Sequence, residues 1–187
     1  MVHMLKDIEY NEDDASTKLA RLFDASDIGV IVKIITDECT TDDIHRNKVK
    51  KLLSNSENYS SYELLHRINE NKENINKNEI LAILDFCDGS ITENNIESFV
   101  NIIAYLLENH LEKDICSQIL LRISNLPDKV LAKQRESICN ILVEIFRKSS
   151  SDENRRKSSI MIKDKGFGRK MRGILDEDEL KEYKSYL

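Results

Sequence analysis

Apolar and polar positions recur at helical spacing along most of this chain, and one block of the pattern occurs twice. Glu97-Ser98-Phe99-Val100-Asn101-Ile102-Ile103-Ala104-Tyr105-Leu106-Leu107 has the same order of positions as Glu136-Ser137-Ile138-Cys139-Asn140-Ile141-Leu142-Val143-Glu144-Ile145-Phe146, an offset of 39 residues. The same offset lays Ile80-Leu81-Ala82 and Leu84 over Ile119-Leu120-Leu121 and Ile123. Each block predicts an apolar helix, a turn and a longer amphipathic helix. A hairpin of this kind leaves an apolar face that only a neighbour can cover, so the pattern predicts hairpins packed in series.

Capping residues place the other elements. Helices are expected over 16–23, over 27–35 with Ser26 or Asp27 as N-cap, and from Thr41-Asp42-Asp43 to about Leu53. Ser60 and Glu63 have capping-box spacing ahead of a helix through Ile68, and Asn71 to Asn78 reads as a loop. The first copy of the repeat is then 79–87, a turn at Asp88-Gly89-Ser90, and 92–108. The second copy is 113–126 and 127–148, with Pro127 in a first turn, where its missing N–H costs nothing. Ser149 to Ser151 ends the pattern, Ser150 and Glu153 cap a further helix, and Gly166-Phe167-Gly168 interrupts a basic stretch. Asp176 to Ser185 reads as a terminal helix, with carboxylates in its first turn and Lys184 in its last.

The period and the paired helices resemble HEAT and armadillo repeats, closely over 79–148 and through helix count over 27–70. The resemblance implies an all-α fold of stacked helical hairpins, about eight to ten helices in a single domain spanning 1–187. Residues 79–148 would be two aligned repeats, and 149–187 a basic segment followed by a helix that caps the stack. One proline and five glycines in 187 residues agree with long helices. With 6% aromatic residues and no tryptophan, the core must be built mainly from Ile and Leu.

Charge divides the chain unevenly. Of a net −6, residues 147–172 carry ten Lys/Arg and three Asp/Glu, and residues 173–187 carry two Lys and five Asp/Glu. The first 146 residues then hold 16 positive and 26 negative side chains, which disfavours nucleic acid over that part and favours a basic protein partner. Cys39, Cys87, Cys116 and Cys139 sit singly in or beside apolar runs, as core thiols do in a reducing compartment. The start has no basic segment leading into a long apolar stretch, Met4 would serve equally as the natural start, and no run is long enough to span a bilayer. A cytoplasmic protein with no membrane contact is expected.

The longer helices of the two copies each carry a polar face. Asn94, Glu97, Ser98, Asn101, Tyr105 and Glu108 lie at three- and four-residue spacing on one, and Lys133, Glu136, Ser137, Asn140, Glu144 and Arg147 on the other. Stacking would join them in one polar strip, which is either a solvated face or a binding surface anchored by Tyr105. In the repeats this chain resembles, such helices commonly line the concave side.

Sites for other chemistry are not legible. His3, His45, His66 and His110 include no pair at the i, i+4 spacing of a zinc helix. With Gly89 sixth, a calcium loop would place Leu84 at its first ligand position. Gly166-Phe167-Gly168-Arg169-Lys170 lacks the preceding strand and the Gly-Lys-Ser/Thr ending of a phosphate loop. There is no Gly-x-Ser-x-Gly, and no two carboxylates are spaced for acid/base work. Neither an enzyme nor a cofactor is expected. The basic segment either balances the acidic body or binds RNA or DNA phosphates through Lys163, Lys165, Arg169, Lys170 and Arg172, with Phe167 stacked on a base.

In size, acidity and helical class the chain is similar to bacterial immunity proteins of contact-dependent growth inhibition systems. Its abundant Asn, Ile and Lys are what an AT-rich gene gives. The resemblance implies a toxin inhibitor forming a 1:1 complex with a basic domain, for instance a nuclease, by covering its active site. The contacts it implies are Asp37, Asp42, Asp43, Glu93, Glu97, Asn101, Tyr105 and Glu108. A scaffold or adaptor in a larger assembly, using the same strip, and a nucleic-acid-binding helical protein remain open beside it.

Overall fold

A computed structural model of the chain describes residues 28–33 and 59–187. Among these, every regular element is a helix and there is no strand. The elements are α1 (Ile28–Lys33), α2 (Tyr59–Asn71) with a 3-10 turn Lys72–Asn74, α3 (Lys77–Phe86), α4 (Ile96–Asn109), α5 (Lys113–Asn125), α6 (Asp128–Lys133), α7 (Arg135–Lys148), α8 (Asp152–Asp164), α9 (Met171–Ile174) and α10 (Glu177–Ser185). The expected helices over 16–23 and 41–53 lie outside the described residues. Two compact units, 1–102 and 103–187, divide within α4.

The 39-residue step is written into the helix ends. α4 and α7, 14 residues each, coincide at both ends when shifted by that step. α5 and α8, 13 residues each, do the same, and α3 ends one step before α5. The register therefore runs one helix beyond the two copies legible in the sequence. Polar residues had masked α8. Asn154, Ser158 and Ser159 are fully buried where the previous copy has Ile115, Ile119 and Leu120. Each hydrogen-bonds internally, as a buried polar group must. The Asn154 amide donates to the Lys113 carbonyl (2.8 Å) and accepts from the Ser117 hydroxyl (2.8 Å). Ser158 donates to the Leu142 carbonyl and Ser159 to the Arg155 carbonyl.

Several boundaries differ from expectation for local reasons. Ser60 lies inside α2, which begins at Tyr59 and runs on to Asn71, so it does not cap that helix. The capping box belongs to α3 instead. Asn76 accepts from the backbone of Asn78 and Glu79, and Glu79 accepts from the Asn76 N–H. α4 starts at Ile96 rather than 92 because 93–95 form a turn closed by Asn95, whose carbonyl oxygen accepts from the Thr92 N–H (2.7 Å). The stretch 127–148 is two helices, broken at Gln134 (φ −123°, ψ 33°). Gln134 is one step after Asn95, so both copies break at the same place. Ser151, not Ser150, caps α8 by accepting from the Asn154 N–H.

In the first unit the buried side chains include Leu64, Leu65, Ile68, Ile80, Ile83, Phe86 and Phe99. In the second, α8 lies against both α5 and α7. Its core includes Ile119, Ile123, Ile138, Leu142, Ile145, Phe146 and Ile162. Phe146 meets Tyr183 and Tyr186 edge-on, with ring centroids 6.2 and 6.5 Å away. Those contacts bring α10 onto α7. Asp176 caps α10 in a second capping box with Glu179.

Candidate interaction surfaces

The repeat fixes which polar residues reach solvent. On α4, Phe99, Val100, Ile102 and Ile103 are buried, while Glu97 and Asn101 are exposed one helical turn apart. On α7, Ile138, Cys139, Ile141 and Leu142 are buried, while Glu136 and Asn140, one step later, are exposed. Glu108 is exposed, Tyr105 and Glu144 are half-buried, and Glu144 pairs with Lys148 at 2.5 Å. Glu93 and Asn94 precede α4 in the turn, and Lys133 belongs to α6, so these three are not on the helices expected to carry them. Ser98 is only 9% exposed and leaves the polar face. Asp37, Asp42 and Asp43 lie outside the described residues.

Part of the basic segment holds the C-terminal part together. Arg147 makes a two-pronged ion pair with Glu179 (2.8 and 3.0 Å) and donates to the Ile174 carbonyl (2.7 Å). That guanidinium holds the Glu179 carboxyl below the usual carboxylate range, and the Asp176 N–H pulls in the same direction. Arg155 pairs with Glu182, and Lys165 approaches Asp128 at 3.4 Å. From the other side, Arg135 donates to the carbonyls of Lys165 (3.0 Å) and Gly166 (3.3 Å) and lies 4.6 Å from the ring centre of Phe167. Gly166 takes φ +76°, which favours glycine.

Phe167 is fully buried, so it cannot stack on a base as expected. Lys165 is half-buried, and Lys163, Arg169, Lys170 and Arg172 are exposed. The sequence places these cations close together along the chain. It gave no sign that their neighbours Arg147 and Arg155 serve α10, because those pairs join residues 32 and 27 apart.

Cys87, Cys116 and Cys139 are free and buried. Burial pushes the Cys116 and Cys139 thiols above their ordinary range. No helix among the described residues is long and apolar enough to cross a membrane. Compared with models of known protein families, with curated proteins and with solved structures, the chain matches none.

Proposed function

We propose that this chain is a non-enzymatic protein-binding module, and most specifically an immunity protein that captures and neutralises a basic toxin domain in a 1:1 complex. One observation carries the reading. Glu97 and Asn101, and one step later Glu136 and Asn140, stay exposed, while Ser98, Phe99 and Val100 in the first copy and Ile138 and Cys139 in the second are buried. Stacked hairpins of the HEAT or armadillo kind would use such a face for a partner. The net −10 of the first 146 residues supports a basic partner and rapid capture. Inhibition on this reading is steric, by covering a basic active site.

The test is co-expression with a toxin domain, sought first among the genes beside this one. A discrete equimolar complex in which that domain is inactive is expected. A complex whose partner keeps full activity would move the chain to the adaptor class, and a housekeeping operon in place of a toxin gene would count equally against immunity.

A phosphate-binding role draws support from exposed Lys163, Arg169, Lys170 and Arg172, which make no ion pair among the described residues. Labelled RNA should then shift at low salt and be released as salt rises. Unchanged mobility at low salt ends that reading.

A further inference from the structure

Exposed large apolar side chains are few among the described residues. Leu121 (59% exposed) and Ile160 (37%) are two of them, and the third is the C-terminal Leu187. Leu121 on α5 and Ile160 on α8 are one 39-residue step apart, so they hold the same place in two helices that pack side by side. Equivalent positions on adjacent repeat helices form a ridge. Here that ridge borders a cavity of about 380 Å³ that Leu120 and Met161 also line, its lining surface more apolar than polar. The sequence placed Leu121 among the apolar positions of the repeat, but nothing within its own unit covers it.

The groove is flanked by cations on its α8 side. Arg156 and Lys157 stand one turn before Ile160, and Lys163 one turn after it. Arg156 and Lys163 are exposed and make no ion pair among the described residues. Lys157 and Lys165 line the groove and hold only solvent-exposed carboxylates, Glu153 and Asp128. Such surface pairs are worth little and give way readily to a better partner. Asp164 is the one carboxylate in the lining, while the α5 side offers Ser117 and Ser124.

We propose that this groove is a second docking site, taking an amphipathic helix of a protein partner whose aliphatic residues lie over Leu121 and Ile160 and whose flanking carboxylates meet Arg156, Lys157 and Lys163. A helix in a groove presents apolar anchors at spacings of three and four, which suits a cleft between two parallel ridges. A lipid surface suits the site less well, because insertion needs a projecting apolar ridge and this one borders a concavity. The site lies on α5 and α8, whereas Glu97 and Asn101 lie on α4 and Glu136 and Asn140 on α7. Its fate is therefore separate from that of the toxin-binding reading.

The experiment uses the full chain and a fluorescent synthetic peptide of about four helical turns, with leucines at alternating spacings of three and four and glutamates elsewhere. A control peptide carries lysines in place of the glutamates. The glutamate peptide is expected to bind, more weakly as salt rises, and the lysine peptide to bind far less. Leu121→Asp and Ile160→Asp should each weaken binding roughly tenfold or more, and Leu121→Asp, at the more exposed position, should do so without lowering the melting temperature. Lys157→Glu with Lys163→Glu should exchange the preference between the two peptides.

Failure of the glutamate peptide to bind, equal binding of both peptides, or indifference to the groove substitutions overturns the proposal. Self-association that Leu121→Asp abolishes would give the groove to a second copy of the chain. Capture of phosphatidylserine vesicles abolished by the same substitution would give it to a lipid surface.

Discussion

Single residues decide the fit of the C-terminal helices. Phe146 is 1% exposed and holds Tyr183 and Tyr186 against α7. Phe146→Ala leaves a void that neighbouring helices cannot fill, and should cost about 3–5 kcal/mol in chemical denaturation. Tyr183 is a contrasting case. Its hydroxyl is buried beside Gly168 without a hydrogen-bond partner, and burial pushes its pKa up. Tyr183→Phe keeps the ring and removes the unsatisfied group, so the melting temperature should hold or rise. Both substitutions concern residues whose burial was legible only as apolar spacing. That a tyrosine near the terminus packs on Phe146, 37 positions earlier, is a long-range fact that no local pattern encodes.

At the scale of elements, the ion pair between Arg147 and Glu179 ties α10 to α7. The Glu179 carboxyl titrates below its ordinary value when folded, so it binds its proton less readily there than in the unfolded chain. Its contribution is complete above about pH 4.3, the ordinary glutamate value, and is lost as pH falls through the lower folded value. Arg147→Ala should cost about 1 kcal/mol at neutral pH. Glu179→Gln should flatten the acid limb of stability measured against pH.

The repeat was legible where its core positions are Ile, Leu, Phe and Val, and it faded where α8 substitutes Asn154, Ser158 and Ser159. Hydrogen bonds inside the structure replace apolar contact there, and sequence periodicity does not register them. Asn154→Leu illustrates the difference. It restores the apolar pattern yet leaves the Lys113 carbonyl without the Asn154 amide, and should destabilise by about 1–3 kcal/mol in thermal or denaturant melts. The break at Gln134 was hidden because 127–148 reads as continuous helix. Its equivalence to Asn95 was the available signal.

For the molecule as a whole, the proposed association with another protein rests on uneven charge and on exposed polar positions that recur from α4 to α7. Capture of a basic partner should slow markedly between low and physiological salt while the dissociation rate changes less, a split that stopped-flow mixing resolves. The exposed positions Glu97 and Asn101 on α4, and Glu136 and Asn140 on α7, were readable from the sequence because helical spacing fixes the face of each helix. The groove between α5 and α8 was not, since exposure of Leu121 depends on which neighbours the fold supplies.

Hydrogen exchange on the chain alone and in complex with the proposed toxin domain tests the main claim most directly. New protection concentrated in the helices that carry Glu97, Asn101, Glu136 and Asn140 is the predicted result. Protection confined to other helices, with α4 and α7 exchanging as they do in the free chain, would contradict it.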